Sequence, residues 1–414
     1  MSKLHVAQTL AGKEILLYGG TGFLGKVFVS LLLCHFPDIK KIHLVVRARR
    51  DRNGNIKTSS ETRFWNDIAT SQAFDPIRLK QPGTAYTNFM SEKVNVVDGD
   101  VTRPFAGISD EVRDQLRNTV DILVNTSGVV DFNPPLDKSL DVNAFGMQNL
   151  VSLAKDLGDI LFMHTSTCYV AGDQTGQVEE VNPLKLPFPK ADTLSEEHWD
   201  CEREIRECME MIQHAKRQAT DAFRQSEFLD QARKNLKKKG EPTRGSALED
   251  ELAKVERKFI EDLLIKEGTE RAQYWGWHNI YTYTKSIGEQ ILCKSGLKFC
   301  IVRPAVIESA LRFPIRGWNE GINTSTPLIY LIFQGPLGVP TTKESVLDVI
   351  PVDHVAVGMA LSLAEILEGT HKDVYQYGSS DSAPLKMTRL IELVSLQKRT
   401  FRRAGTKNPI MDQV

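Results

Sequence analysis

The chain has 414 residues, of which 41% are hydrophobic and 25% are charged, and its formal net charge is -1 at pH 7. This length can hold one large α/β domain or two ordinary domains, and the composition is typical of a folded globular protein. A chain without a clustered basic excess is not expected to bind nucleic acid. Six cysteines without a Cys-x-x-Cys pair or metal-ligand spacing predict a reduced, cytoplasmic protein that holds no metal.

The N-terminus and the apolar windows indicate how the chain relates to membranes. Residues 1–12 lack the basic start and apolar stretch of a secretory signal. No window offers the roughly 18 apolar residues of a membrane span. The nearest candidate, residues 327–340, is interrupted by Gly335, Pro336 and Gly338. We therefore expect no spanning segment, and peripheral attachment to a membrane stays open.

Short apolar runs recur along the chain. Residues 13–18 form such a run, which ends in glycines and is followed by a helical pattern, so they predict a strand, a tight turn and a helix. Further strand candidates, separated by segments of helix length, are residues 42–46, 94–97, 121–125, 160–166 and 299–303. This alternation predicts an α/β fold with a doubly wound parallel sheet that is covered by helices on both faces.

Between about residues 194 and 267 the chain becomes charged and poor in glycine. Apolar residues recur there at spacings of three and four in two stripes, residues 205–222 and 248–263, with turn-forming residues 240–245 between them. We predict a helical hairpin inserted into the α/β domain. It can be a solvated arm that also mediates self-association, or it can cover the substrate.

The turn after the first predicted strand reads Gly19-Gly20-Thr21-Gly22-Phe23-Leu24-Gly25. Gly19 is expected to allow the tight turn, Gly22 to let the backbone approach a pyrophosphate, and Gly25 to let the helix pack closely on the sheet. The following helix would present unpaired N–H groups to the phosphates. In this context the loop indicates a dinucleotide cofactor, although the glycine pattern alone also fits a turn without a ligand.

Basic residues follow the second predicted strand, where the chain reads Val45-Val46-Arg47-Ala48-Arg49-Arg50. Enzymes that prefer NAD usually have an acidic residue here for the ribose hydroxyls. Arg47 and Arg49 can instead bind the additional phosphate of NADP in bidentate fashion. The sequence therefore favours NADPH, and the alternative is a basic surface loop.

Two further short motifs follow predicted strands, at the carboxyl ends where ligands of such sheets bind. Asp100 and Val101 follow the third strand, and Asp100 can accept a hydrogen bond from an adenine amino group. Thr126, Ser127 and Gly128 follow the fourth strand. We assign both motifs to the cofactor site, although ordinary turns use the same residues.

Tyr281 and Lys285 are four residues apart and therefore share one face of a predicted helix. A tyrosine with the ordinary pKa of about 10 is a poor acid–base group at neutral pH, and a nearby cation shifts that pKa toward the working range. Lys285 is the expected cation and can also hold a nicotinamide ribose. Tyr283 is a second candidate, but no lysine follows it four residues later.

A third catalytic group is expected at the end of the strand before the insertion. We predict that Thr167 polarises a substrate carbonyl as hydride arrives, and Ser166 is its nearest rival. Cys168 follows directly but has no basic partner in the sequence. It is therefore predicted to be a small buried residue and not a nucleophile.

Taken together, these motifs resemble the extended short-chain dehydrogenases, and among them the fatty acyl-CoA reductases and thioester-reductase domains. The resemblance spans about residues 13–380 and depends on the order and spacing of residues 19–25, 46–48, 99–102, 143–146, 166–167, 281–285, 301–304, 317–321 and 349–355. It implies a Rossmann-type fold with cofactor contacts that include Thr21, Phe23, Leu24 and Pro304. It also implies substrate contacts at Ser166, Trp318 and Asn319.

The activity that the resemblance implies is NADPH-dependent reduction of a long-chain fatty acyl thioester to an aldehyde, a primary alcohol or both. The acyl group would be carried by CoA or by acyl carrier protein. Residues 311–340 would line the acyl pocket or serve as core packing, and their apolar members are Phe313, Trp318, Leu328, Ile329, Leu331, Ile332 and Phe333.

Two other functions share part of this pattern. A nucleotide-sugar epimerase or dehydratase has a similar glycine loop and a Tyr/Lys pair. Arg47 argues against the epimerases that retain NAD, and residues 167–169 lack the Thr-Asp-Glu run of the dehydratases. A non-catalytic NADPH-binding module would leave the intact set of Thr167, Tyr281 and Lys285 unexplained.

The patterns predict a division of the chain into five segments. They are an NADP-binding core (1–190), a helical insertion (191–272), a catalytic helix with a returning strand (273–310), a substrate-binding loop (311–345), and the end of the core with a C-terminal segment (346–414). The fold would include a small C-terminal substrate-binding subdomain. The resemblance implies a junction with a further helical region at residues 378–380, of which this chain holds a short part.

Overall fold

The alternation of short apolar runs and helix-length segments produces a seven-stranded parallel sheet. The computed structural model describes residues 4–51, 53–174, 176–194, 199–321, 325–334 and 341–403. Its strands are β1 (Glu14–Tyr18), β2 (Lys41–Val45), β3 (Arg49–Arg50), β4 (Ile56–Thr58), β5 (Val94–Val97), β6 (Ile122–Asn125), β7 (Leu161–Thr165), β8 (Phe299–Pro304), β9 (Val306–Glu308), β10 (Val346–Leu347), β11 (Val349–Pro351), β12 (Val374–Tyr377) and β13 (Leu385–Lys386).

The helices lie mainly between these strands. They are α1 (Val6–Leu10), α2 (Phe23–His35), α3 (Ser60–Arg63), α4 (Asp75–Lys80), α5 (Thr84–Lys93), α6 (Asp110–Leu116), α7 (Leu136–Leu140), α8 (Gly146–Asp156), α9 (Cys201–Ala219), α10 (Ala222–Lys239), α11 (Ser246–Trp275), α12 (Ile280–Lys294), α13 (Thr326–Gln334), α14 (Val352–Glu368) and α15 (Met387–Arg403). Short π or 3-10 turns are Phe64–Ile68, Gln72–Phe74, Pro104–Gly107, Asp141–Phe145 and Cys168–Ala171.

The main sheet has the strand order β12-β8-β7-β6-β1-β2-β5, and all its neighbouring strands are parallel. The chain runs outward from β1 through β2 to β5 and then returns to the other side of β1 at β6. Ligands of such sheets bind at the carboxyl ends of the strands where the order reverses, which here is between β1 and β6. The predicted doubly wound parallel sheet is therefore confirmed.

Strand β1 shows why the sheet is covered on both faces. All five of its residues are buried, and successive side chains point to opposite faces. Ile15 and Leu17 join the hydrophobic cluster beneath α2 and α14, whereas Leu16 and Tyr18 join the cluster beneath α8 and α12. The continuous apolar run in the sequence is therefore the pattern of a strand between two helical layers.

One strand of the main sheet differs from the sequence-based expectation. Residues 349–355 resemble the strand and helix start that close the sheet in the family, but β11 (Val349–Pro351) pairs with β9 in a separate two-stranded sheet. The seventh strand of the main sheet is β12, which pairs with β8. Its four residues include two tyrosines and a glutamine and are mostly half-buried, as an edge strand requires, so it lacks the apolar run that marks the other strands.

The inserted segment contains three helices, where the sequence predicts two. The spacing of apolar residues is regular over residues 205–222, but helix α9 ends before Thr220. The Asp221 side chain accepts hydrogen bonds from the backbone N–H groups of Phe223 and Arg224. This N-cap starts α10 as a new helix. Helix α9 packs against α11 and α12, and α10 packs against α11, where the rings of Phe228 and Phe259 are 5.2 Å apart.

A separate hydrophobic cluster joins α13 to α15 near the C-terminal end of the described chain. It contains the buried side chains of Ile332, Phe333, Met387, Leu390 and Val394. Among the described residues, no helix is both long enough and apolar enough to cross a membrane.

Candidate active site

The glycine loop connects β1 to α2 in the conformation that its sequence requires. Gly19 has φ +84°, and a Cβ there would lie 2.5 Å from the backbone of Ser127. A Cβ on Gly25 would lie 2.3 Å from the Gly19 carbonyl oxygen, so only glycine lets the helix begin this close to the turn. A Cβ on Gly22 would meet only that same oxygen, at 3.4 Å, so its other side is open. This arrangement forms a cradle for a pyrophosphate at the N-terminus of α2.

Gly20 must also be glycine, although it is not one of the three glycines of the cofactor-binding pattern. A Cβ on Gly20 would lie 2.2 Å from the Leu44 side chain of β2 and 2.8 Å from Leu17 of β1. Gly20 and Gly25 therefore serve the packing of the loop on its own sheet and helix, and not the contact with a ligand.

A basic cavity of about 600 Å³ opens beside the ends of β2 and β5. Its lining contains six cationic side chains and two carboxylates: Arg47, Arg49, Arg50, Lys57, Arg63, Arg103, Asp98 and Asp100. Arg47 and Arg49 are the two residues here that the sequence assigns to the cofactor site. Lys57 of β4, which pairs with β3, lines the cavity as well. A cavity with this excess of positive charge, next to a pyrophosphate cradle, fits a phosphorylated ribose.

The two predicted arginines differ in how strongly they are already paired. The Arg49 guanidinium is 3.0 Å from the Asp67 carboxylate, whereas that of Arg47 is 3.5 Å from Asp100 and is 70% exposed. Burial raises the pKa of Asp100, but hydrogen bonds from Thr102 and the charge of Arg47 outweigh it, so the pKa is lowered overall. Asp100 therefore stays ionised, and Arg47 is the arginine more available to an added phosphate.

The residues after β6 lie between the glycine loop and the catalytic helix. The backbone N–H and the hydroxyl of Thr126 donate to the Tyr18 carbonyl oxygen, both at 2.9 Å. The Ser127 hydroxyl donates to the side chain of Asn125. A Cβ on Gly128 would lie 2.9 Å from the ammonium nitrogen of Lys285. The structure thus brings this motif together with both predicted parts of the site.

Lys285 is buried under the carboxyl ends of β6 and β7. Its ammonium donates to the backbone carbonyl oxygen of Thr165 at 3.0 Å and approaches that of Ser127 at 3.5 Å. Burial lowers the pKa of Lys285 to about 8, and the charge of Glu289 opposes this shift. The side chain therefore lies between the loop after β6 and the end of β7.

The pKa of Tyr281 shifts in the direction opposite to the one expected. Burial raises it to about 12, although a hydrogen bond with Thr167 acts to lower it. The Lys285 ammonium is held by backbone carbonyl groups and is not among the causes of this shift, so an effect of Lys285 on this pKa stays a prediction. Tyr281 is consequently protonated at neutral pH, and it can donate a proton.

Thr167 and Ser166 both follow β7, and the structure separates their roles. Thr167 lies beside Tyr281 and acts to lower its pKa, accepts the Tyr169 N–H at 3.3 Å, and caps the turn that follows it. The hydroxyl of Ser166 is buried and has no hydrogen-bond partner in the described part of the chain. Thr167 is therefore the hydroxyl that is paired with the candidate catalytic tyrosine.

Cys168 does not act as an activated thiol in this arrangement. Its Sγ donates to the Arg303 carbonyl oxygen at 2.9 Å. Burial raises the pKa of Cys168 to about 12, with the nearby charge of Asp348 adding to the shift. A thiol with this pKa is a poor nucleophile at neutral pH. Pro304, which the resemblance assigns to the cofactor, ends β8, and its carbonyl oxygen lies 3.5 Å from the Thr167 hydroxyl.

The loop that contains Trp318 packs against the glycine loop and α2. Its indole stacks on Phe23 of the glycine loop, with ring centroids 5.2 Å apart, and is buried in the cluster beneath α2. The neighbouring Glu320 pairs with the buried ammonium of Lys26 in the first turn of α2. Asn319 is exposed, and its side chain accepts the Glu320 N–H. The loop around Trp318 therefore packs against the cofactor cradle, and contact of Trp318 with the acyl chain stays a prediction.

The apolar residues expected to line one acyl pocket fall into two groups. Phe313 and Trp318 belong to the cluster beneath α2. Helix α13 instead turns one face toward α15, so Leu328, Ile329, Ile332 and Phe333 pack in the separate C-terminal cluster, and Leu331 is half exposed. Residues 335–340 lie outside the described residues. The alternative of core packing is therefore correct for most of this set.

Two contacts near the site have no individual signal in the sequence. Asn143 lies within the motif at residues 143–146; its side chain donates to the Thr284 hydroxyl of α12 at 3.0 Å, and its carbonyl oxygen would lie 2.3 Å from a Cβ on Gly288. Lys26 meets Glu320 across 294 residues of sequence. No local pattern could show that second contact.

Other site types are not found in the described residues. No three His, Cys, Asp or Glu side chains are grouped there in a way that could hold a metal ion. The groups that converge at the ends of β1, β2, β6 and β7 are a phosphate cradle, a basic cavity, a buried lysine and a pair of hydroxyls. They fit a nicotinamide dinucleotide and a substrate carbonyl.

Comparison with known proteins agrees with this geometry. The model of an NAD-binding domain family described as male sterility protein matches residues 17–359. Probable fatty acyl-CoA reductase 5 of Arabidopsis thaliana is 31% identical over 416 residues, which are 99% of this chain and 73% of that protein. Chloroplastic fatty acyl-CoA reductase 2 of the same plant is 30% identical over 99% of this chain, which spans only 61% of it. The alcohol-forming fatty acyl-CoA reductase of Simmondsia chinensis is 27% identical over 98% of this chain and 73% of its own length.

Solved structures share the fold. The terminal R domain of the myxalamid PKS-NRPS pathway superposes with a TM-score of 0.54 at 16% identity, over 93% of this chain and 70% of that one. A thiolation-reductase di-domain from an archaeal non-ribosomal peptide synthetase gives a TM-score of 0.53 at 15% identity, over 95% of this chain and 64% of that one. The sequence relatives and the match to the NAD-binding model together show that this chain belongs to the fatty acyl-CoA reductase family.

Proposed function

We propose that this chain is an NADPH-dependent reductase of long-chain fatty acyl thioesters, with Thr167, Tyr281 and Lys285 as its catalytic residues. The observation that carries the proposal is the position of Thr167, directly after β7, beside Tyr281, whose pKa it acts to lower, together with the buried ammonium of Lys285 at the same strand end. Two hydroxyl groups next to a cation, at the carboxyl edge of a dinucleotide-binding sheet, suit the reduction of a carbonyl group.

The cofactor would be held by residues from four strand ends. The N–H groups of residues 19–25 would bind the pyrophosphate, Arg47 and Arg49 the additional phosphate, and Asp100 with Val101 the adenine. Lys285 would hold the nicotinamide ribose, with residues 126–128 and Pro304 around the ring. NADPH, when bound, supplies a hydride to the carbonyl carbon of the substrate.

The protein groups would act on the substrate oxygen. Thr167 and Tyr281 would hydrogen-bond the carbonyl oxygen, and these bonds strengthen as negative charge develops on it. Tyr281 would donate its proton to that oxygen while the new C–H bond forms, which gives a hemithioacetal. The C–S bond then breaks, the thiol leaves with a proton, and an aldehyde remains. Each round oxidises one NADPH, and a second round at the aldehyde gives a primary alcohol.

The raised pKa of Tyr281 supports this direction of proton transfer. A phenol whose pKa is about 12 is fully protonated at neutral pH, so it is ready to act as an acid in reduction. The Lys285 ammonium would stabilise the tyrosinate that remains after the transfer. Reduction is therefore the chemistry that the protonation states favour.

A fatty acyl substrate is supported by the relatives and by apolar residues at the mouth of the site. The relatives reported above are fatty acyl-CoA reductases. Val130 and Phe132 are 82% and 56% exposed, and the Phe132 ring meets Tyr281 edge-on with centroids 6.2 Å apart. An exposed apolar pair beside the catalytic tyrosine suits an acyl chain, carried by CoA or by acyl carrier protein. The six cysteines are all free thiols, which supports the cytoplasm as the compartment.

The proposal is tested by NADPH oxidation with palmitoyl-CoA, palmitoyl carrier protein and a UDP-sugar in parallel, with the products identified as aldehyde or alcohol. We expect turnover of at least one thioester and none of the sugar. Tyr281→Phe should lower kcat by about a hundredfold or more, because it removes the acid, while NADPH binding is preserved. Absence of thioester turnover by the wild-type enzyme would refute the proposal, and an active Tyr281→Phe enzyme would show that another group is the acid.

A further inference from the structure

A buried carboxylate joins the helical insertion to the catalytic helix. Glu204 of α9 is 2% exposed and accepts both Nε and Nη2 of Arg271, each at 2.6 Å. It also accepts the indole N–H of Trp275 at 2.9 Å and the phenol of Tyr283. Arg271 and Trp275 belong to α11, whereas Tyr283 belongs to α12. Glu204 therefore links three helices through one charged group.

Tyr283 lies between the two catalytic residues of α12 and faces away from them. It is completely buried, and its hydroxyl also lies 3.0 Å from the Cys208 sulfur of α9. Since successive residues of a helix are rotated by about 100°, Tyr283 faces the insertion while Tyr281 and Lys285 face the sheet. Burial raises the pKa of Tyr283 well above its ordinary value, so Tyr283 is a hydrogen-bond donor and not a rival acid.

The same cluster reaches the turn that holds Thr167. The Trp277 ring packs on Tyr283 with centroids 5.4 Å apart, and its indole N–H donates to the Val170 carbonyl oxygen at 2.8 Å. Val170 is in the turn that begins directly after Thr167. Trp277, in the link between α11 and α12, therefore contacts both the catalytic helix and the turn after Thr167.

The chemistry of this link favours positioning over simple stability. A buried ion pair contributes little net stability, because the cost of removing two charges from water offsets their attraction. A carboxylate that accepts four hydrogen bonds is, in contrast, directional and fixes the orientation of each donor. A small displacement of a catalytic group is enough to lower the rate of the chemical step strongly.

We propose that Glu204 of the helical insertion is a positioning residue for the reaction, which it serves by fixing α12 through Tyr283 and so aligning Tyr281 with Thr167. The proposal deepens the function proposed above and rests on it. It also assigns the insertion a task inside this chain, namely to hold the catalytic helix in register with the turn after β7.

The test uses Tyr283→Phe, which removes one donor to Glu204 and keeps the aromatic ring. We expect kcat with palmitoyl-CoA, calculated from the concentration of NADPH-binding sites, to fall about tenfold. The Kd of NADPH and the KM of the thioester should stay nearly unchanged. Hydrogen–deuterium exchange of the amides in residues 280–288 should become faster. Glu204→Gln combined with Tyr283→Phe should lower kcat no further than the stronger single variant, because the two residues act as one unit.

Glu207→Gln is the matched control, since Glu207 is on the same helix and also pairs with Arg271. It should leave kcat and the exchange of α12 unchanged. The proposal is overturned if Tyr283→Phe keeps both the wild-type kcat and the wild-type exchange, or if Glu207→Gln lowers kcat equally. If Glu204→Gln does not fold, Tyr283→Phe alone decides. Because exchange needs no substrate, it tests the link even if wild-type enzyme fails to reduce thioesters, a result that would count against the proposed function only.

Discussion

The Lys285 ammonium donates a hydrogen bond to the backbone carbonyl oxygen of Thr165, 3.0 Å away at the carboxyl end of β7. This contact holds the lysine between β7, the strand that precedes Ser166 and Thr167, and the loop after β6. It also keeps the charge buried, which is why the pKa of Lys285 falls to about 8. The residue that would hold the ribose is therefore one that titrates near neutral pH.

This pKa predicts a pH dependence of cofactor binding. As the pH rises through about 8, the free enzyme loses the Lys285 charge, so we expect the Kd of NADPH, measured by fluorescence titration from about pH 7 to 9.5, to increase. Lys285→Met should bind NADPH more weakly and without this dependence. A wild-type Kd that is constant over the range would contradict the assigned role.

The same shift has a defined sign for folding. The unfolded chain holds the lysine proton up to its ordinary pKa of 10.5, whereas the folded chain releases it near 8. Because the unfolded state binds more protons between these values, the Lys285 contribution to the free energy of unfolding rises with pH across that window. Denaturant titrations of wild type and Lys285→Met should differ in this slope.

Removal of the Thr167 hydroxyl and removal of the Ser166 hydroxyl are predicted to change different kinetic constants. Thr167→Val removes the hydroxyl beside Tyr281 and keeps the shape of the side chain, so kcat should fall by about 10- to 1000-fold with the KM of the thioester little changed. Ser166→Ala removes a buried hydroxyl that lacks a protein partner in the described residues, so it should mainly raise that KM. Steady-state kinetics decide, and a larger loss of kcat in Ser166→Ala would exchange the two assignments.

Arg47 is predicted to distinguish NADPH from NADH. Arg47→Ala should weaken NADPH binding about tenfold, because one charge-assisted hydrogen bond to an exposed phosphate is lost, and it should leave NADH almost unaffected. Arg224→Ala, on the distant helix α10, is a control for the loss of one exposed charge. Equal losses of affinity for NADPH and NADH would remove the basis for assigning NADPH as the cofactor.

Substitution of Gly25 is predicted to affect stability, whereas substitution of Gly22 is predicted to affect cofactor binding. Gly25→Ala places a Cβ 2.3 Å from the Gly19 carbonyl oxygen, so it should destabilise the fold by about 1–3 kcal/mol. Gly22→Ala meets that oxygen only at 3.4 Å, so the melting temperature should stay close to wild type while NADPH binds more weakly. Calorimetry and NADPH titration of both variants test this, and a Gly22→Ala enzyme with wild-type affinity would place the pyrophosphate elsewhere.

Much of the fold could be predicted because local patterns carry it. The buried strands β1, β6, β7 and β8 are mostly apolar, and the glycine loop needs glycine at Gly19 for its positive φ and at Gly25 for close packing. The edge strand β12 escaped prediction, since a half-buried strand has no such run. The third helix of the insertion escaped because Asp221 breaks a stripe whose spacing is otherwise unbroken.

The sequence by itself determined the order of the motifs: a glycine loop after β1, Arg47 after β2, Thr167 after β7, and Tyr281 with Lys285 on one helix. Their convergence followed from topology, because parallel strands bring their carboxyl ends to one edge. Only the tertiary structure decided which tyrosine faces the site, where Trp318 packs and which charges are already paired. Tyr283 donates its hydroxyl proton to Glu204, 79 residues away in sequence, and the Trp318 ring stacks on Phe23 of the glycine loop. Contacts between segments this distant in sequence depend on how helices pack, which no local spacing encodes.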